Sequence, residues 1–171
     1  MRKVILSLAV SLDGFIEGPN GEYDWCFTDQ DYGMTEFLQR IDTVFVGRKT
    51  YEMMAGMEQD GSGMPKMEEY VFSKTLNEVK EGSVLVGGDL KTEVEMIKHK
   101  EGKDIWLFGG ASLTTSMMNL NLVDEVHLAV HPILLGAGKP LFQNISGRIT
   151  LQLMESKDYS SGLVFIKYRL G

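Results

Sequence analysis

Ile105-Trp106-Leu107-Phe108-Gly109-Gly110-Ala111-Ser112-Leu113 sets the fold class. Four apolar residues in a row, two of them aromatic, leave no face for water and predict a strand buried on both sides. Two glycines end the run. Leu113, Met117 and Leu120 then recur at helical spacing. A doubly buried strand that passes through glycines into a helix is the repeating unit of an α/β sheet. Paired glycines at that junction also let a backbone approach a phosphate, with free helix N–H groups to receive it. The full G-x-G-x-x-G pattern is absent, because Ala111, Ser112 and Leu113 follow the pair.

The same grammar extends in both directions. Val4–Val10, Thr43–Val46, Tyr70–Phe72 and Val84–Val86 are short apolar runs rich in β-branched or aromatic residues. Between them, Met34, Phe37, Leu38 and Ile41 follow i, i+3, i+4, i+7 spacing, as do Leu90, Val94 and Ile97. Met117 and Met118 read as core filler. After residue 125 the pattern changes. Val126, Leu128 and Val130 alternate with His127, Ala129 and His131. Ile149, Leu151 and Leu153 alternate with polar residues, as do Val164, Ile166 and Tyr168 beyond a turn at Ser160-Ser161-Gly162. These are half-exposed strands, the last two forming a hairpin. The prediction is one domain over residues 1–171. It is a three-layer α/β/α fold whose mixed, mostly parallel sheet ends in an antiparallel C-terminal hairpin.

Composition narrows the function classes. The 171 residues carry 43% hydrophobic and 24% charged residues, ordinary for a packed globular chain. The net charge of −7 disfavours a nucleic-acid or anionic-membrane surface but leaves room for one local basic pocket. Met1-Arg2-Lys3 precedes the first apolar run, yet Asp13, Glu17 and Glu22 follow where a signal peptide needs small residues. The expected location is therefore cytoplasmic. The single cysteine, Cys26, excludes an internal disulfide and reads as a packed small side chain between Trp25 and Phe27. His127 and His131 share a strand face but lack a third ligand, so no metal is expected and both read as surface or interface histidines. The stretch Ala55–Lys66, with three glycines and a proline, reads as a mobile surface loop.

Two further strand ends carry cations. Gly47-Arg48-Lys49-Thr50 follows Val44-Phe45-Val46, and Ser73-Lys74-Thr75 follows Val71-Phe72. Strand C-termini of open α/β sheets face the ligand crevice, and a helix N-terminus favours an anion. Alone, the first segment reads equally well as a solvated turn, and the second reads better as a plain turn.

Together with Ser11-Leu12-Asp13-Gly14 and His131-Pro132-Ile133-Leu134-Leu135-Gly136-Ala137-Gly138-Lys139-Pro140-Leu141-Phe142, these segments resemble the dihydrofolate-reductase-like superfamily. The chain is most similar to the C-terminal reductase domain of the bifunctional riboflavin-biosynthesis deaminase–reductase, here as a stand-alone member. The resemblance implies NADPH as cofactor. Gly47, Arg48, Lys49 and Thr50 match the turn that receives its phosphates. Ser73 and Lys74 match the strand end near the adenosine 2′-phosphate. Gly109, Gly110, Ala111, Ser112 and Leu113 match the loop under the pyrophosphate, and Ala9 the backbone that meets the nicotinamide carboxamide. Asp13 and Gly14 match the start of a loop closing over nicotinamide and substrate.

The implied activity is hydride transfer to a pyrimidine or pteridine-type substrate, most like 5-amino-6-(5-phosphoribosylamino)uracil reductase. The alternatives are a dihydrofolate reductase-type activity and a non-catalytic NADPH-binding protein. A proton donor is needed, and Asp31, ahead of the first helix, is the candidate catalytic acid; it also reads as a cap or solvated acid. Asp13 reads both as a substrate contact and as turn chemistry. Trp25 reads as a stacking face for a flat heterocycle or as packing. The resembling reductases pair, so a homodimer is expected.

Overall fold

Each apolar run that the sequence marks becomes a strand, and the order in which they associate creates the site. The computed structural model describes residues 1–55 and 65–171. Most of the stretch read as a mobile loop thus lies outside the described residues. The elements are β1 (Val4–Ser11), β2 (Phe15–Glu17), α1 (Met34–Arg40), β3 (Ile41–Gly47), α2 (Arg48–Ala55), β4 (Glu68–Phe72) and β5 (Ser83–Val86). They continue with α3 (Leu90–His99), β6 (Asp104–Gly109), α4 (Ala111–Asn119), β7 (Glu125–His131), β8 (Lys139–Pro140), β9 (Leu151–Asp158) and β10 (Val164–Leu170).

Eight strands form one sheet in the order β5-β4-β3-β6-β1-β7-β10-β9. The first six run parallel, and β10 is antiparallel to both β7 and β9. The predicted C-terminal hairpin is present. Its turn closes through Gly162 N–H to the Tyr159 carbonyl at 2.9 Å, with Gly162 at φ 88°. The pleat sends alternate residues to two cores. Phe45 and Leu107 pack with Val94, Ile97, Met117 and Met118 of α3 and α4. Val44, Val46 and Trp106 pack with Phe37 and Leu38 of α1 and Tyr51 and Met54 of α2. Helices therefore cover both faces, the three-layer arrangement expected.

Three expectations need correction. Ile41 fits the helical spacing but opens β3, because α1 ends at Arg40. Ile149 precedes β9, whose eight residues are all exposed, since this strand is the sheet's edge. His127 and His131 are each only 2% exposed, so they are core rather than surface histidines.

His127 belongs to a polar knot at the N-terminal edge of the sheet. Glu125, fully buried, accepts from Arg40 at 2.8 and 3.1 Å, from Lys3 at 2.7 Å, and lies 3.0 Å from His127 Nε2. Burial alone would raise its pKa, but the Arg40 and Lys3 hydrogen bonds hold it down at about 2. Burial pushes His127 the other way, below its ordinary value.

Candidate functional site

The sheet's topology picks one crevice. β3 and β6 are neighbours, and their C-terminal ends lead into α2 and α4, which lie on opposite faces of the sheet. Connections that part to opposite faces leave a cleft outside the strand ends, where ligands of open α/β sheets bind. The two turns at this point touch. A Cβ placed on Gly47 would lie 3.6 Å from Leu113 Cβ and 3.7 Å from the Gly109 carbonyl oxygen. One placed on Gly110 would lie 3.2 Å from Thr50 Oγ1. Gly109 has φ 110°, a conformation costly for any side chain. Glycine here keeps two bare backbone turns side by side at the mouth of two helices.

Thr114, four residues into α4, is 1% exposed, and its hydroxyl has no hydrogen-bond partner among the described residues. It lies 3.6 Å from where a Gly109 Cβ would sit. A buried, unsatisfied hydroxyl beside two glycines is costly. No sequence signal singled it out.

A gap opens in the sheet beside these turns. β1 pairs with β6 only through Val4, Ile5 and Leu6, whereas its pairing with β7 continues to Ser11. Past Leu6 the edge of β1 that faces β6 is no longer in a ladder. The Trp106 indole N–H takes the Ser7 carbonyl at 2.9 Å. Ala9, two residues on, turns its N–H and C=O to the same side by the period-2 geometry of a strand. It offers a backbone donor and acceptor to whatever enters the gap.

The remaining predicted residues are dispersed around this cleft. Arg48 bends along its own helix to Glu52 at 3.1 Å, and Lys49 is exposed. Ser73 Oγ accepts from the N–H of Thr75 and Leu76, fixing the turn after β4. With Lys74, Leu76, Leu85, Gly87, Gly88 and Asp89 it lines an open depression of about 710 Å³. Asp89 is a charge the sequence reading did not weigh. It caps α3 by accepting from Thr92 N and Oγ1, which lower its pKa, with Lys74 adding to the effect.

Asp13 accepts from Ser11 Oγ at 2.7 Å and from the N–H groups of Leu135 and Gly136 at 3.1 and 2.8 Å. Its carboxylate therefore ties the loop after β1 to the loop after β7, and the Ser11 bond leads in lowering its pKa. Leu141 N–H donates to the Gly14 carbonyl at 2.9 Å. Asp31 accepts from Thr35 N and Oγ1 at 2.9 and 2.7 Å and from Gly33 N at 3.0 Å. These bonds, Thr35 Oγ1 first, hold its pKa below the ordinary carboxylate value. The carboxylate does the work of a helix cap.

An aromatic group stands across the cleft on the end of β7. His131 lies 2.9 Å from the Ala129 carbonyl through Nδ1 and accepts from Phe27 N–H at 3.0 Å through Nε2. Those two contacts define a neutral ring, and burial lowers its pKa in agreement. Trp25 and Phe27 rest edge-on against it at 5.3 and 5.0 Å. The Trp25 indole nitrogen is buried and has no partner among the described residues. Tyr32 lies 4.8 Å from Tyr159, and its hydroxyl is 2.7 Å from Asp29 and 2.9 Å from Ser161. Burial pushes the Cys26 thiol up to about 11, so it is not a nucleophile.

Known proteins resemble this chain in sequence and in fold. The uncharacterized protein YyaP of Bacillus subtilis (strain 168) is 45% identical across 98% of this chain and 94% of its own length. A solved putative riboflavin biosynthesis protein from Shewanella sp. PV-4 superposes with a TM-score of 0.87 at 26% identity, over 99% of both chains. A dihydrofolate reductase from Enterococcus faecalis, solved with NADP(H), superposes at 0.71 and 14% identity, over 99% of this chain and 96% of its own. At that identity the likeness speaks for the fold, which is dihydrofolate-reductase-like. Residues 2–165 match the RibD C-terminal domain, and this chain belongs to that family.

Proposed function

We propose that the protein is an NADPH-dependent reductase acting on a pyrimidine or pteridine-type heterocycle, most like 5-amino-6-(5-phosphoribosylamino)uracil. One observation carries the reading. The gap between β1 and β6 beyond Leu6 opens next to the bare turns at Gly47 and Gly109-Gly110. That combination suits a long ligand with a flat amide-bearing ring at one end and phosphates in its middle.

The residues present fit the dinucleotide. A Cβ on Gly110 would crowd Thr50 Oγ1, Gly109 holds a φ of 110°, the Thr114 hydroxyl has no partner among the described residues, and Ala9 has no ladder partner on its β6 side. Ala9 would hold the carboxamide. Gly47, Thr50 and the first amides of α4, at Ala111, Ser112 and Leu113, would hold the pyrophosphate. Arg48 and Lys49 stand at the same turn, and Ser73 with Lys74 would take the 2′-phosphate in the depression they line. The cofactor supplies the hydride, so the chain's own task is to align two rings and exclude water. Trp25, half-buried, offers the substrate an aromatic surface. Asp13 and Gly14 act by fixing the loop above the gap.

A non-catalytic NADPH-binding protein is the second reading, and Asp31 favours it. A proton donor works best with a raised pKa, and this carboxyl is lowered by three hydrogen bonds. A homodimer is expected in either case.

Thermal melting with NADPH, NADH and no ligand tests the cofactor assignment. At 100 times Kd a ligand adds about 2.7 kcal/mol to the folded state, a rise of roughly 5–10 °C for a chain of this size. A rise with NADPH and a smaller one with NADH is the expected result. No rise with either at millimolar ligand overturns the proposal. Steady NADPH oxidation with a ribosylamino pyrimidine or a dihydropterin then separates the reductase from the binder.

A further inference from the structure

The two-stranded ribbon of β2 and β8 has no part in the main sheet, and it carries an ion pair between its strands. Glu17 and Lys139 are register partners in the ribbon, and Lys139 Nζ lies 3.4 Å from Glu17 Oε1. The close approach depends on Gly138. A Cβ there would lie 2.2 Å from the Glu17 carbonyl oxygen, and its φ is 148°. The Leu141 N–H bond to the Gly14 carbonyl pins the ribbon's other end. The main chain of Lys139 is thereby fixed by the ribbon, and its ammonium by Glu17.

What it is set against matters more. Lys139 Nζ also lies 4.0 Å from the position of a Gly110 Cβ, the same position that Thr50 Oγ1 approaches to 3.2 Å. An ammonium and a hydroxyl thus bracket Gly110, the N-cap residue of α4. Beneath them is the buried and unpartnered Thr114 hydroxyl. This is a further cation at the strand-end crevice, brought by β8 from far along the chain and independent of the turns at Arg48 and Lys74.

We infer that Lys139 is a pyrophosphate-binding residue and that Glu17 is its exchangeable counter-ion, released when a dinucleotide enters. The inference rests on the cofactor assignment above. The exchange is favourable on simple grounds. Both side chains of the pair are about one-third exposed, so their mutual attraction is weakened by solvent. A pyrophosphate brings two charges to an ammonium already held by the ribbon and to helix amides pointing the same way. Glu17 works against binding until it yields Lys139, and afterwards it is an uncompensated acid near the phosphates.

The two members of the pair therefore predict opposite signs. Lys139→Gln should raise the Kd for NADPH about tenfold, the loss of one charge-assisted contact. Glu17→Gln should lower it severalfold. Fluorescence quenching of the two tryptophans by the reduced dinucleotide reads both without turnover. Lys139→Gln must also weaken NADH by the same factor, because both dinucleotides carry the pyrophosphate and only one the 2′-phosphate. Raising salt should shrink both effects. Ligand-free melting temperatures should stay within a few degrees of wild type, and tighter binding by Glu17→Gln cannot come from misfolding.

Wild-type binding together with an unchanged Kd in Lys139→Gln overturns the inference alone. So does weaker binding by Glu17→Gln, or a Lys139→Gln loss confined to NADPH. A wild-type chain that binds neither dinucleotide removes the cofactor assignment and this inference together.

Discussion

At the scale of single residues, the question is what a side chain has left over after its local duties. Asp31 has nothing left: both carboxylate oxygens are engaged by Gly33 and Thr35. Thr114 and Trp25 each retain a buried polar atom with no partner among the described residues. This ordering yields a prediction. Asp31→Asn keeps one acceptor oxygen and the cap geometry, so melting should drop by no more than a few degrees. If Asp31 is only a cap, turnover should stay within about threefold of wild type. A loss of 100-fold or more, the scale of a missing general acid, would instead make Asp31 the proton donor. In that case the hydrogen bonds to Thr35 and Gly33 must open on substrate binding, and kcat should fall with little change in the NADPH Kd.

At the scale of elements, β9 is the most exposed strand of the eight-stranded sheet. All eight of its residues are exposed, including Leu153 at 56% and Met154 at 47%. An unprotected edge strand presents a row of free N–H and C=O groups, which natural proteins cover or blunt. The expected homodimer would cover it. Leu153→Lys, on the strand but far from the cleft turns, should shift the chain to a monomer in light scattering while NADPH still binds. A wild-type monomer, or a mutant that still dimerises, removes β9 as the interface.

The same elements show what sequence could and could not reveal. The junctions at Gly47 and Gly109-Gly110 were legible because a doubly buried strand leaves an unbroken apolar run, and glycine marks its end. Ile41 was not, since an apolar residue seven after Met34 satisfies the helical period and equally well opens a strand. The alternation Leu151, Leu153 says which residues share a face but not whether anything covers it. Three residues of β2 and two of β8 are too short to show any period, and Pro140 argues against a strand. The ribbon's only trace was the Gly136, Gly138, Pro140 spacing. Its meaning lies in a contact between residues more than 100 positions apart.

At the scale of the whole molecule, the Glu125 knot and the glycine turns stand at opposite edges of the sheet. The C-terminal edge holds the glycine turns and the Thr114 hydroxyl, which has no partner among the described residues. The N-terminal edge holds the Glu125 knot, where one buried carboxylate joins β7 to Lys3 before β1 and to Arg40 at the end of α1. Asp104 of β6 joins through Arg40 at 2.8 Å. Folding depresses the pKa of Glu125 from 4.5 to about 2. A depressed carboxyl stabilises the fold fully above its unfolded value and loses that contribution as pH falls through the folded one. The depressed values of His127 and His131 act in the same direction earlier, because the unfolded chain takes up protons below its ordinary histidine value of 6.5 and the folded chain resists them. Melting temperature should therefore begin to fall below pH 6.5, and fall further below 4.5. Glu125→Gln breaks the knot at its buried centre while Arg40 and Lys3 retain access to water. Its cost at neutral pH should be roughly 2–3 kcal/mol, short of the full penalty for stranding a buried charge. That corresponds to about 5–10 °C in melting temperature. The wild-type and Glu125→Gln melting curves should converge as pH drops from 4.5 through the folded pKa of Glu125, below which the wild-type carboxyl is itself neutral. The NADPH Kd of the folded mutant should match wild type, because the knot and the glycine turns lie at opposite ends of the same strands. A mutant whose stability gap persists at low pH would show that Glu125 acts through packing. One whose Kd rises tenfold would show that the two edges are coupled through β1 and β6.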